Sequence, residues 1–339
     1  MKILLTHVFL FFLFNNDISK GLEGKNEKDK IAGTSISEFR GYYRRDLSLT
    51  RPYHSSNLAL PHWEVMGDVE INNNEIRLTR DEQGQSGIIY SKYPVSSRDW
   101  EIMLTFSVSG RGKLFGDGLA FWYIKDIKRG TAFGLNSKFK GLGIFLDTYA
   151  NEPHGQNTQF PYIYGMINNG DKEYKSNEDG MSTRLGREGC TSSFRNRDNI
   201  QTNLLIRYVG DKLSIYTDVE GEGKWNLCFS VNNVILPTGY YFALSSVTGD
   251  LHDYHDIIAF RMYEIDYTGR NEGKRVIPDD LIPQYLDEEK DIIHGENGIL
   301  SFFKMLLLLF IGSALIALIV LFGSKYYKNH LLREHKRFY

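Results

Sequence analysis

The residues best suited to chemistry fall in four short stretches. "IFLDTYANEPHG" (Ile144–Gly155) leaves an apolar run at Asp147 and presents Asp147, Tyr149 and Asn151 within five positions. A hard cation such as calcium takes about six to eight oxygens from carboxylates, amide and backbone carbonyls, and water. Asp147 can supply a carboxylate, Asn151 a side-chain carbonyl and Tyr149 its main-chain carbonyl. A further carboxylate is needed, and Asp179 in "NEDG" is a candidate. On spacing alone these residues also describe a solvated turn. "GDGLAFWY" (Gly116–Tyr123) sets Asp117 between two glycines before an apolar run, where the missing side chains let a ligand reach the backbone; its plain reading is a tight turn. "SSVTGDLHDYHDI" (Ser245–Ile257) adds Gly249, Asp250 and Leu251. Three strand-ending turns with Gly, Asp and Asn, next to an aromatic ring, are what a shallow polyol site needs: acceptors for hydroxyls, amide donors and an apolar face.

Catalysis is a weaker reading. Glycosidases pair carboxylates about 5–10 Å apart, and "YEIDYTGRNE" superficially resembles an E-x-D-x-E strand. The position two beyond Asp266 is Thr268, so the third carboxylate is missing. Glu264 and Asp266 are expected on the solvent face of a last strand, and the chain reads as a binding protein, not an enzyme.

The elements that must position these residues are strands. Across residues 39–267 short apolar-alternating runs recur: Glu75–Leu78, Gly87–Tyr90, Trp100–Val108, Gly118–Ile124, Gly141–Asp147, Tyr162–Asn168, Thr202–Tyr208, Lys212–Asp218, Tyr240–Ser246 and Ile257–Tyr267. Gly, Asn, Asp and Pro separate them, and no long 3.6-residue period intervenes. The pattern predicts one all-β domain, a sandwich of the jelly-roll kind. The chain's 339 residues, 42% of them hydrophobic, can bury such a core, and a formal net charge of -2 gives no reason to expect nucleic-acid binding.

The ends differ from this body. Residues 1–20, with the apolar Met1–Phe14, read as a secretory signal. Residues 268–301 form an acidic stem, with a short helix expected around Leu281–Lys290. Met305–Phe322 carries no charge, so residues 302–324 are expected to be a transmembrane helix. Acidic residues precede it and basic ones follow, which predicts a single-pass type I protein with the body lumenal and residues 325–339 cytosolic. Both cysteines, Cys190 and Cys228, then fall in an oxidising compartment, where a single disulfide is the expectation.

"FGDGLAFWY", "GLGIFLDTYANE", "FPYIYGMINNG", "GCTSSFRNRD", "LPTGYYFALSSVTGDLHDYHDI" and the terminal "KRFY" together resemble the leguminous-type animal lectins of the early secretory pathway. The likeness runs from about Arg45 to Tyr267 and includes the C-terminal apolar segment and tail. It implies a legume-lectin-like jelly roll that binds high-mannose N-glycans through calcium. It further implies a cargo receptor in ER–Golgi transport or quality control, located in the ER, the ER–Golgi intermediate compartment and Golgi membranes. Carried over residue by residue, Asp147, the Tyr149 carbonyl, Asn151 and Asp179 would hold calcium. Asp117, Tyr149, Asn151, Ser176, Gly249, Asp250 and Leu251 would line the mannose site, and Cys190 would pair with Cys228. Lys336, Arg337, Phe338 and Tyr339 would form a sorting signal read by vesicle coat proteins.

Two positions depart from the family pattern. Where the family carries histidine, in "Y-D-H-x-x-D-G", this chain has Ser176 in "YKSNEDG" (Tyr174–Gly180), and Ile88 stands where a polar serine is usual. Both put sugar affinity in question more than calcium, because Asp179 is retained. They leave open a competing reading, an escort receptor that reads protein surfaces with reduced or lost sugar binding. Because carboxylates must be ionised to hold calcium, glycan release in acid or low calcium is the expected behaviour.

Overall fold

In a computed structural model the described residues are 40–53, 60–151, 159–197, 200–266, 282–285, 312–314 and 316–326. The chain divides into two units, Met1–Tyr285 and Leu286–Tyr339. The signal segment and the tail residues Lys336 to Tyr339 lie outside the described residues.

Two large antiparallel sheets and one two-stranded pairing make up the described part of the first unit. An eight-stranded sheet runs Asn226–Val231, Lys212–Asp218, Thr202–Val209, Trp100–Ser109, Tyr254–Asp266, Ile76–Thr79 and Glu70–Ile71, with Arg40–Tyr43 also pairing onto Tyr254–Asp266. A seven-stranded sheet runs Gly189–Thr191, Tyr162–Asn169, Lys140–Asp147, Gly118–Ile124, Tyr241–Val247, Ser86–Ser91 and Trp63–Gly67. The core between them takes one side of each alternation: Trp100, Ile102, Leu104 and Phe106 from one sheet, Leu119, Phe121, Ile144 and Leu146 from the other.

The strands Gly118–Ile124 and Lys140–Asp147 lack a polar face, and the structure shows why. The opposite face of the seven-stranded sheet is also covered, by a second cluster in which Trp122 and Phe145 pack with Phe133, Phe139 and Tyr174 from the flanking loops. A sheet buried on both faces reads as a continuous apolar run. Ile88, wholly buried, belongs to this cluster, so its apolar character serves packing. Cys190 and Cys228 form a disulfide that ties edge strands of the two sheets together.

Two expectations at the C-terminal end are corrected. Gln284 and Tyr285, within the expected helix, are extended because their backbone pairs with Val234–Ile235. Among the described residues the transmembrane helix expected over 302–324 is not found. Helix is described at 312–314 and 316–326, and no helix among the described residues is long and apolar enough to cross a membrane. A span needs about 20 apolar residues. The expectations built on it fall with it: the membrane-spanning, single-pass type I topology, the Golgi- and ER-membrane placement that followed, and coat-protein contacts through the tail.

Candidate functional site

Strand register places the site. Gly118 pairs with Asp147 on one side and with Val247 on the other. The residues just outside those positions therefore emerge together at one end of three adjacent strands: Asp117 before Gly118, the 148–151 turn after Asp147, and the 248–251 turn after Val247. Thr148 N–H donates to the Asp117 carbonyl (3.1 Å) and Asp117 N–H to the Val247 carbonyl (3.3 Å), so the ladder continues into the loops. The peptide between Gly116 and Asp117 is cis.

The 248–251 turn is held from below. Thr248 Oγ1 donates to the Glu82 carbonyl (2.6 Å) and accepts from Gln85 N–H (2.9 Å), and Gln83 Nε2 donates to the Asp250 carbonyl (3.2 Å). Gly249 N–H donates to the Leu251 carbonyl (3.1 Å). A Cβ at Gly249 would stand 3.5 Å from Asp117 Oδ2, which puts this turn against the Asp117 carboxylate. A Cβ at Gly116 would meet the Leu251 side chain at 3.1 Å and that of Tyr149 at 3.7 Å, so the three loops share one small surface.

Asp147 is 3% exposed. Its Oδ1 accepts from Tyr149 N–H (3.1 Å) and its Oδ2 from the Tyr164 hydroxyl (3.1 Å), which in turn lies 2.7 Å from the Tyr174 hydroxyl. Asp179 is fully buried and takes Asn151 N–H (3.0 Å) and Asn151 Nδ2 (2.6 Å). Burial, then the neighbouring charge of Asp179, pushes the Asp147 carboxyl well above the ordinary range. Asp117 is pushed up to about 6 by burial and by Asp250. Among the described residues no basic side chain meets Asp147. A buried carboxylate near a second one, with no base to balance it, is costly.

Those residues fit a bound calcium ion. Every donor is an oxygen, two of them belong to carboxylates, and the charge of Asp147, which meets no basic side chain among the described residues, is what a divalent cation balances. Among the described residues no group of three or more His, Cys, Asp or Glu gathers, so carbonyls and water would complete the shell. Asn151 currently offers its amide N–H to Asp179; turning the amide over would offer its oxygen instead.

Sequence reasoning missed the residues behind these. Tyr164 pairs across from Phe145, two residues before Asp147 and on its face, so the ring reaches the carboxylate diagonally. Asp179 and Gly180 are both left-handed (φ 47° and 61°), and a Cβ at Gly180 would sit 2.8 Å from the Tyr164 ring. The "DG" pair thus lets the chain turn beneath Asp147, and only the aspartate of that pair could be read in advance. Arg184 lays its guanidinium 4.4 Å from the Tyr162 ring centre and 4.6 Å from that of Tyr164. Ser176 is exposed and opens a short turn, Ser176–Glu178, whose first carbonyl accepts Asp179 N–H (3.1 Å). Glu264, weighed above as catalytic, is paired with Arg44 (2.9 Å), and Asp266 is exposed at a strand end.

The sandwich with oxygen-donor loops at one end of the seven-stranded sheet is that of a lectin. The match to the model of the legume-like lectin family spans residues 40–272, and the chain belongs to that family. Its place there as a binding protein, not an enzyme, follows from the same match. It is 38% identical over 306 residues to the VIP36-like protein of Homo sapiens, covering 88% of this chain and 86% of that protein. To vesicular integral-membrane protein VIP36 of Homo sapiens it is 36% identical over 309 residues, covering 88% and 85%. Among solved structures it resembles the VIP36 exoplasmic/lumenal domain in its Ca2+/Man3GlcNAc-bound form, with 38% identity, a TM-score of 0.66, and coverage of 72% of this chain and 99% of that one. The Ca2+/Man2-bound form of the same domain matches with a TM-score of 0.67.

Proposed function

We propose that this protein is a calcium-dependent lectin for high-mannose N-glycans on glycoproteins, serving as a cargo receptor in ER–Golgi transport or quality control. The observation that carries the reading is the convergence of Asp117, Asp147, Asn151, Asp179 and Gly249–Leu251 at one end of three paired strands, with Asp147 buried and unbalanced. The related VIP36 domain has been crystallised with calcium and mannose oligosaccharides, which supports the same ligands here.

Asp147 and Asp179, with the Tyr149 carbonyl and the Asn151 side chain, would hold the ion. When bound, calcium would supply positive charge beside Asp147 and tie the 147–151 turn to the 174–180 turn. Asp117 accepts from sugar hydroxyls when ionised. The Asp250 and Leu251 N–H groups donate, the Gly249 N–H already being spent on Leu251. Tyr149, half-buried between the loops, offers its ring to the sugar face. Ser176, exposed at the mouth of the 174–180 turn, has the shorter reach of a hydroxyl where the family carries an imidazole.

A glycan array probed in calcium and again in chelator tests the reading. High-mannose signals present only with calcium support it; no signal for any high-mannose glycan overturns it. The second reading, protein recognition with sugar binding lost, rests on Ser176. Undiminished cargo capture from cells stripped of N-glycans favours that reading.

A further inference from the structure

The outer face of the eight-stranded sheet holds a polar groove of about 530 Å3. It belongs to the other sheet from Asp117 and Asp147. Its floor crosses three neighbouring strands where their outward residues are small or satisfied. Asn203 pairs with Thr105, and Thr105 with Ala259. Thr105 Oγ1 donates to Asn203 Oδ1 (2.8 Å), and Asn203 Nδ2 donates to Asp218 (3.2 Å).

A strand irregularity coincides with the floor. Ile257 faces Phe106 and Ala259 faces Thr105, so Ile258 is an extra residue in the strand. Its carbonyl is taken by the Tyr53 hydroxyl (2.9 Å). Such bulges bend a strand and re-aim its side chains, and here the strand carrying the bulge also carries Arg261.

Charge in the groove is one-sided. Glu220, on one wall, is already paired with Arg197. Arg51 and Arg261 also line the groove. Arg51 spends Nε on the Asn74 carbonyl, which leaves its outer nitrogens. Arg261 is half-buried, and among the described residues no acceptor meets its guanidinium. A partly desolvated guanidinium without an anion pays for burial and gets nothing back, whereas a planar two-oxygen anion would meet its fork with paired hydrogen bonds.

We propose that this groove binds an oxyanion, a carboxylate or a phosphate group, held by Arg51 and Arg261 and independent of the glycan site. Calorimetric titration of the full chain with inorganic phosphate, and separately with N-acetylglutamate amide, tests it at fixed chloride concentration. Saturable binding is expected. A response to phosphate alone assigns a phosphoryl ligand, and a response to the carboxylate alone assigns an acidic side chain of a polypeptide. Arg261→Gln should weaken binding by about tenfold or more, the worth of a charge-assisted hydrogen bond, while keeping calcium-dependent mannobiose binding, which shows that it is folded. Arg51→Gln, on a more exposed residue, should weaken it as well. No saturable binding of either probe, or undiminished binding by both variants, overturns the proposal.

Discussion

Two buried carboxylates near the same end of the sandwich have opposite surroundings. Asp253, fully buried, takes Arg195 Nε at 2.9 Å and Nη2 at 2.8 Å. The same guanidinium donates to the Gly112 carbonyl (3.0 Å) and lies 4.5 Å from the Phe115 ring centre. It thereby fixes the loop that leads into Asp117. Nearby, Asp81 meets His252 Nδ1 at 2.7 Å. Asp147 has an amide and a phenol for company, and a second carboxylate close by. Burial pushes both Asp253 and Asp147 upward, but Arg195 pulls Asp253 back while Asp179 pushes Asp147 further. The difference separates framework from site. Where the chain supplies its own cation, the carboxylate builds a rim; where it withholds one, the charge is left for an ion from outside.

The largest effect is expected on the framework side. Arg195→Ala leaves Asp253 buried and unpaired and should cost about 3–5 kcal/mol of stability, read by denaturant unfolding, with calcium restoring none of the lost pairing. Loss of less than about 1 kcal/mol would erase the distinction drawn between the two carboxylates. Asp147→Asn should do the reverse. It removes an unbalanced charge, so the calcium-free protein becomes more stable, while the stabilisation by calcium disappears. That increment is about 2.7 kcal/mol for the native protein at a calcium concentration a hundredfold above Kd.

A pH series on the calcium-free protein sharpens the contrast. A carboxyl whose folded pKa is raised contributes stability that is present below its unfolded pKa and is lost as pH rises through the folded one. For Asp117 that window runs from 3.8 to about 6; for Asp147 it starts at 3.8 and ends well above it. Thermal unfolding without calcium should therefore move to higher temperature on mild acidification from neutral pH, and Asp147→Asn should flatten the slope. Glycan affinity should move the other way, falling on acidification as Asp117 and the calcium-holding carboxylates take up protons. The smallest effect belongs to Ser176→His, which should raise mannose affinity about two- to tenfold, one good hydrogen bond's worth. No change would mean that the exposed turn at Ser176 is outside the sugar's reach.

Much of the framework was legible in the sequence because alternation reports burial on one face. Gly118–Ile124 and Lys212–Asp218 have the expected bounds, and Trp100–Ser109 differs by one residue. Short edge strands such as Trp63–Gly67, Gly189–Thr191 and Asn226–Val231 escaped, since an edge strand needs neither length nor a regular pattern to pair. That Asp117, Asp147 and Asp250 stand at strand ends could be read locally, and strand pairing brings those ends together. Their supports could not be read so: Tyr164, Tyr174, Arg184 and the Arg195–Asp253 pair act across the sheet, at distances in sequence that no spacing encodes. The C-terminal apolar run shows the opposite failure. Its composition satisfies a spanning pattern, yet among the described residues no helix is long and apolar enough to cross a membrane.

Calorimetric titration of the protein with α-mannobiose, in saturating calcium and then in chelator, bears most directly on the reading of the site. The expected result is saturable binding in calcium that vanishes in chelator and vanishes in both conditions for Asp147→Asn. Equal binding with and without calcium, or none in either, would contradict it.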